Sequence, residues 1–362
     1  MTSIILFVVL FLYLFIIAAI IIAFYNYPVS KMKEENPKNF FSIVIAFKNE
    51  ATNLPYLLRS IKSIDYPTDM YEIILVNDHS NDDYYTVLQN FSVRVFNTHQ
   101  AGKKAALTLG IEQAKNDWII TTDADCELPV DLLKLLDSHI QNNNDKMILL
   151  PVRYYNSNKF IKQFQNIEFV NLQAITIAGV YWKIPFLANG AGLAFKKDSF
   201  IEVNGYQGNM HIVSGDDVFL LEKFHQKYRG QISFVKNTLA VILTQSKSSW
   251  KELLYQKIRW SSKTSHYKSV LPKLFGLLLT WVQLMFLLSF FMAWKNSFFM
   301  WFIIIKFIAD ALLFLTVNKL YRIKIHPLYF VLSFIFYPFY FFYIMMMSIK
   351  GRFQWKGISY SK

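Results

Sequence analysis

From Ile4 to Tyr25 the sequence carries no charged residue, and tyrosine is its only polar type. At ~1.5 Å rise per residue a helix of that length crosses the ~30 Å hydrocarbon core of a bilayer. In lipid the backbone must close its own hydrogen bonds, so helix is the conformation this run dictates. A cleaved leader is the competing reading. It would need a basic n-region, a shorter apolar run and a small-residue cleavage site, and the sequence offers none of them here. A retained anchor is expected. Three more apolar blocks follow near the other end: Leu274–Trp294, Phe298–Asn318 and Leu328–Ile349. Overall, 54% of residues are hydrophobic and 17% charged, too apolar for an ordinary soluble domain.

The stretch between these blocks is of mixed polarity and large enough for one substantial domain. The expected organisation is an anchor over 4–25, a cytoplasmic domain over 38–270, transmembrane or interfacial helices over 271–350 and a basic tail over 351–362. The cytoplasmic side follows from Lys31 and Lys33 after the anchor and from Lys319, Arg322 and Lys324 between the last two blocks. The tail is basic as well (Lys350, Arg352, Lys356, Lys362), yet three simple spans would carry it outside. Either one block lies in the interface or re-enters, or the tail departs from the rule. A formal net charge of +13 suits an anionic membrane surface and a phosphate-bearing substrate. Nucleic acid is the other common partner of basic chains, but no recognition motif supports it. The lone cysteine, Cys126, excludes an intramolecular disulfide and fits a reducing compartment. No His/Cys cluster has zinc spacing.

Within the domain, short apolar runs alternate with helical patterns. Ser42–Phe47, Tyr71–Asn77, Ser92–Phe96 and Trp118–Thr122 read as strands; Asn53–Ile64 and Gly102–Ala114 read as helices. Strand–helix alternation predicts parallel strands with right-handed crossovers, whose polar ends converge on one edge. At that edge Trp118–Thr122 runs into Asp123-Ala124-Asp125. Two carboxylates one residue apart suit a hard divalent cation that also bridges a substrate's phosphates; a solvated turn is the plainer reading of the triplet.

The ordered series Ser42–Glu50, Val76–Asp82, Asp123-Ala124-Asp125, Ser214-Gly215-Asp216-Asp217 and Gln256-Lys257-Ile258-Arg259-Trp260 resembles family 2 glycosyltransferases of the GT-A fold, over about Ser42 to Trp260. The last motif resembles the QxxRW of the membrane-bound branch, which includes ceramide glucosyltransferases and polysaccharide synthases. The resemblance implies an α/β domain with a Rossmann-like mixed sheet, and a nucleotide diphosphate sugar as donor, with UDP favoured. It implies that Asp78 holds the base, Asp123 the ribose, and Asp125 a Mg²⁺ or Mn²⁺ ion on the diphosphate. Ala46, Phe47, Glu50 and Lys103 would line the nucleotide pocket, Asp217 would be the base for the acceptor hydroxyl, and Asp216 and Trp260 would face the acceptor. Asn77 stands where the family often has another aspartate.

Local physics offers a plainer account of several of these residues. Lys103 and Lys104 can be a solvated helix start. Asp216 and Asp217 can cap a helix and complement its dipole. Ser249-Trp250-Lys251-Glu252 is a capping box; on the helix it opens, Gln256, Arg259 and Trp260 share a face. That face suits an amide on a hydroxyl, a guanidinium on diphosphate and an indole on a sugar, or an interfacial helix with a snorkelling arginine. Ile167–Trp182 is expected to be a core-packed helix, with an interfacial helix as the alternative. Asn189–Gly192 reads as a turn before a strand at Leu193–Phe195, and Lys306 with Asp310 as a neutralising pair or a headgroup contact. The reading as a whole is a membrane-bound inverting glycosyltransferase with a lipid or lipid-linked acceptor. The alternatives are a processive polysaccharide synthase and a non-catalytic nucleotide-sugar scaffold.

Overall fold

The computed structural model describes residues 2–33, 36–212, 214–350, 352–355 and 358–361. The chain opens with α1 (Thr2–Asn26), and continues through β1 (Phe41–Phe47), α2 (Leu54–Lys62), β2 (Tyr71–Asn77), α3 (Tyr84–Leu88), β3 (Arg94–Asn97), α4 (Lys103–Gln113), β4 (Trp118–Asp123) and α5 (Leu132–Asn142). Then come β5 (Met147–Leu149), β6 (Val152–Tyr154), α6 (Phe160–Tyr181), β7 (Leu193–Lys196), α7 (Lys197–Glu202), α8 (Asp216–Lys227), β8 (Ile232–Phe234) and β9 (Ile242–Thr244). It closes with α9 (Trp250–Ser262), α10 (Leu271–Met292), α11 (Ser297–Tyr321), α12 (Pro327–Lys350), β10 (Arg352–Trp355) and β11 (Ile358–Ser361). Two compact units result. A sheet unit comprises Tyr27–Tyr155 and Gly179–Gln245; a helical unit comprises Met1–Asn26, Asn156–Ala178 and Ser246–Lys362.

The sheet unit holds a seven-stranded sheet in the order β3-β2-β1-β4-β7-β5-β8. The first four strands are parallel, as strand–helix alternation requires, and β7 then runs antiparallel to both β4 and β5. The sheet is therefore mixed. Parallel strands covered on both faces read as continuous apolar runs, and in β1 (FSIVIAF) nearly every residue is buried. Register aligns the strand ends: Phe47 pairs with Asn77, Ala46 with Asp123, and Asn77 with Asn97. These residues form the carboxyl edge where ligands bind in open α/β sheets.

The segment after α1 is strapped to the far side of this sheet. Phe234 N donates to Tyr27 Oη at 2.8 Å, Lys236 Nζ to Tyr27 O at 2.8 Å, and Ser30 N to Lys236 O at 3.2 Å. Further along, Lys33 N donates to Ser138 Oγ (3.1 Å) and Asn39 N to Asp137 Oδ1 (2.9 Å), both on α5. The sheet unit thus begins at Tyr27.

In the helical unit, Ile4–Asn26, Leu271–Met292, Ser297–Tyr321 and Pro327–Ile349 are each long and apolar enough to cross a membrane. α1 packs on α10 and α11, and α10 on α11 and α12. Lys306, 3% exposed, pairs with Asp310 one turn on at 2.8 Å, and the Tyr13 hydroxyl from α1 donates to the same carboxylate. The ammonium also lies 4.7 Å from the Phe334 ring and 5.4 Å from the Phe286 ring. A charge in apolar surroundings must be paired, and this one is. α6 starts at Phe160, earlier than the pattern at Ile167 suggested. It is core-packed: Phe164, Phe169, Val170, Ala174 and Ile177 are buried. The tail includes the antiparallel pair β10–β11, and Lys356 and Lys362 lie outside the described residues.

Candidate active site

Two loops at the carboxyl edge brace each other. Asn49 adopts a left-handed conformation (φ 54°), from which its side-chain oxygen accepts Asn81 N at 2.7 Å while its own N–H donates to Ser80 Oγ at 2.9 Å. Asp82 Oδ2 accepts Ala51 N at 2.7 Å. Asn77, the departure from the usual aspartate, works as a bracket: it donates to Tyr84 Oη and Asn97 Oδ1 and accepts Ser80 N. An aspartate could not donate to the Asn97 oxygen. Asp78 is 4% exposed, and its Oδ1 accepts Gly102 N at 2.8 Å. Glu50 accepts Asn53 Nδ2 at 2.7 Å beside the start of α2. Ala46 and Phe47 end β1 between Asp78 and the acidic stretch.

The centre of the arrangement is Lys103, the first residue of α4. Its ammonium lies 2.7 Å from Asp123 Oδ1 and 2.8 Å from Asp216 Oδ2. Burial opposes the charge, but the two carboxylates outweigh it and hold the lysine well above its usual range. Lys103 is therefore a fixed cation joining the end of β4 to the start of α8. Gly190 belongs to the same cluster: a Cβ there would stand 2.9 Å from Asp216 Oδ2 and 3.1 Å from Lys103 Nζ. A side chain there would press on the ion pair, so glycine suits the close approach of that backbone. Its N–H donates to Asp217 Oδ2 at 3.3 Å, and Thr122 Oγ1 donates to Ala191 O at 2.9 Å. The Asn189–Gly192 turn is thus part of the site, which sequence spacing did not signal.

Asp216 and Asp217 occupy the first turn of α8, where the dipole favours them, but neither is the N-cap. The cap is Gly215 in the left-handed region (φ 83°), so the capping expectation is corrected. Asp217 Oδ1 accepts Val218 N at 2.7 Å. Asp216 is bound to Lys103, whereas Asp217 accepts two backbone amides.

Lys104 is not a solvated helix start. It is 5% exposed, and its ammonium donates to the carbonyls of Asn209 (2.7 Å), Ile212 (2.9 Å) and Ser214 (3.2 Å). It ties α4 to the loop that delivers the two aspartates. Charge-assisted bonds of this kind are each worth about 1.5–3 kcal/mol. Lys104→Met is expected to lower unfolding free energy by at least about 2 kcal/mol and to expose the 209–214 loop to protease. A denaturant midpoint and a cleavage map unchanged from wild type would contradict this.

Asp125 lies just past β4, and its Oδ1 is 3.4 Å from Thr244 Oγ1. Beside it Cys126 is 1% exposed, and burial pushes its thiol well above the usual range. Among the described residues no three His, Cys, Asp or Glu side chains are grouped to hold a metal. Mg²⁺ and Mn²⁺ ask less of a protein than such a group, being commonly held by one or two carboxylates with substrate phosphates and waters completing the shell.

Gln256, Arg259 and Trp260 lie on α9, in the helical unit. Ser249 accepts Glu252 N at 3.3 Å as the box requires, but Glu252 Oε2 returns to Ser248 N rather than to Ser249 N. Gln256 Oε1 is shielded from solvent and has no hydrogen-bond partner among the described residues.

A mixed seven-stranded sheet with flanking helices and acidic loops at its carboxyl edge defines the GT-A fold. Residues 42–202 match the family model described as glycosyl transferase family 2. That match ends before Ser214–Asp217. An undecaprenyl-phosphate 4-deoxy-4-formamido-L-arabinose transferase of Pseudomonas savastanoi pv. phaseolicola is 39% identical over 101 residues, 26% of this chain and 30% of that protein. A probable glycosyltransferase of Sulfolobus acidocaldarius is 27% identical over 228 residues, 57% of this chain and 48% of that protein. The chain thus spans less than half the length of either relative. A structure of the mannosyltransferase PcManGT from Pyrobaculum calidifontis in complex with GDP-Man and Mn²⁺ aligns with TM-score 0.60 at 15% identity, covering 97% of this chain and 98% of that one. At that identity the likeness concerns the fold.

Proposed function

We propose that the protein is a membrane-bound glycosyltransferase that moves a sugar from a nucleotide diphosphate sugar to a lipid or lipid-linked acceptor, with inversion. The observation that carries this reading is the Lys103 bridge, which joins Asp123 to Asp216 beside Asp217. It joins the two acidic motifs that the resemblance assigns to donor and acceptor. Asp78 and Asp123 would hold the nucleoside, with Ala46, Phe47, Glu50 and Lys103 lining the pocket. Asp125 would hold Mg²⁺ or Mn²⁺, which when bound supplies Lewis-acid help to the departing diphosphate. Asp217 would take the proton of an acceptor hydroxyl, which then attacks the anomeric carbon. Gln256, Arg259 and Trp260 are assigned, on their motif, to the diphosphate and sugar.

The four apolar helices support membrane attachment, and the arabinose transferase relative supports a lipid carrier on the acceptor side. That relative also favours a second reading of the acceptor atom. A lipid phosphate is already anionic near neutral pH and would attack without a base. The basic loops support a cytoplasmic sheet unit.

The test is direct. Purified protein with Mn²⁺ is given a panel of UDP- and GDP-sugars, with polyprenyl phosphate or a lipid-linked saccharide as acceptor, and the lipid fraction is read by mass spectrometry. A product heavier than the acceptor by one or two sugars is expected. A polymer ladder would favour a synthase, and nucleotide binding with neither transfer nor hydrolysis would favour a scaffold.

A further inference from the structure

Lys257 falls inside the Gln256–Trp260 motif at a position that the motif leaves open, and it is 5% exposed. Its ammonium is ion-paired at 2.6 Å with Glu168 of α6, whose side chain is 12% exposed. The same nitrogen lies 4.4 Å from the centroid of the Trp260 ring. It makes no directed hydrogen bond among the described residues. A buried ammonium without directed hydrogen bonds is costly unless charge and ring compensate it. The carboxylate stands on a fixed helix. Gln165 donates to Lys247 O at 2.9 Å and accepts Lys247 N at 2.8 Å, and the Phe164 and Trp250 rings lie 5.4 Å apart. These contacts clamp the start of α9 to α6. Glu168 lies about one turn further along α6, within ion-pair distance of Lys257.

We propose that Lys257 and Glu168 are positioning residues that set the orientation of the Trp260 indole for the sugar-handling role, a proposal that rests on the functional reading above. Neither touches substrate. Glu168 fixes the ammonium, and the ammonium fixes one face of the ring by cation–π attraction, leaving the rest of the indole to the ligand. A pair that only stabilised α9 against α6 would act on turnover without reference to Trp260.

Two arms separate these cases, both on the full-length protein in detergent. Protein labelled with 5-fluorotryptophan gives a ¹⁹F resonance for Trp260, assigned by its loss in Trp260→Phe. Lys257→Met is expected to move that resonance, and Lys257→Arg to restore it in large part. In the transfer assay Lys257→Met is expected to lower kcat about tenfold or more with nucleotide affinity nearly unchanged. In a Trp260→Phe background the same substitution should add little, because the ring it acts through is already altered. Should Lys257→Met not fold, the double variant Lys257→Met with Glu168→Leu removes both charges together and takes its place. An unmoved ¹⁹F resonance overturns the proposal, as does a full further loss in the Trp260→Phe background. Wild-type protein inactive with every donor would sink the functional reading and this proposal with it. An active wild type with independent losses sinks the proposal alone.

Discussion

Replacing Asp217 by asparagine is expected to slow transfer to a hydroxyl acceptor at least ~100-fold, since general-base catalysis contributes roughly 10²–10⁴-fold. Folding should change little. Asp217 accepts Val218 N at 2.7 Å and Gly190 N at 3.3 Å, and an asparagine keeps one oxygen for the shorter bond. Losing the longer one costs about 0.5–1.5 kcal/mol, a fall of a few degrees in Tm for a domain of this size. The control is Asp216→Asn, which removes the ion pair to Lys103. It should cost more stability and less turnover, the opposite signature. Turnover near wild type for Asp217→Asn with a hydroxyl acceptor would end the base assignment. The same result confined to a lipid phosphate acceptor would identify the nucleophile as the phosphate oxygen, which needs no base.

Asp125→Ala is expected to abolish the Mn²⁺-dependent part of UDP or GDP binding while the protein still folds. The carboxylate has the Thr244 hydroxyl at 3.4 Å as a neutral neighbour, whereas Asp123 is held by the Lys103 ammonium. A dication is repelled by that ammonium, which makes Asp125 rather than Asp123 the residue to test as its ligand. Calorimetry with Mn²⁺ and with EDTA reads the effect. Equal nucleotide affinity in both, for wild-type protein, would remove the metal from the reading altogether.

The strands were legible because parallel strands buried on both faces leave continuous apolar runs, and their ends announced themselves as Lys48-Asn49-Glu50, Asp78-His79-Ser80 and Asp123-Ala124-Asp125. The apolar blocks were legible for the same reason in stronger form. Periodicity carries no such message about Lys104, Gly190 or Lys257. Each has a role set by a partner far away in sequence: three carbonyls between Asn209 and Ser214, the Lys103–Asp216 pair, and Glu168. A lysine in a polar stretch reads as solvated until the fold closes over it. Asn189–Gly192 read as a turn, which it is, but not as the backbone lying against the ion pair. The strand at Leu193–Lys196 was legible too, and the mixed sheet was implied by the resemblance, but its antiparallel direction is not written in those four residues.

The strap from Tyr27 to Asn39 bears on how this domain can be handled as an isolated piece. β8 is the border strand of the sheet, and the hydroxyl of Tyr27 occupies a backbone amide there while Ser30 takes the carbonyl of Lys236. Cutting the chain at Lys38, the expected start of the domain, would strip that border and leave Lys236 without the Tyr27 carbonyl. A bare, unprotected border strand invites strand addition from other copies. A truncation that keeps the sheet monomeric therefore has to retain Tyr27, which means cutting at the last turn of α1 rather than where the sequence turns hydrophilic.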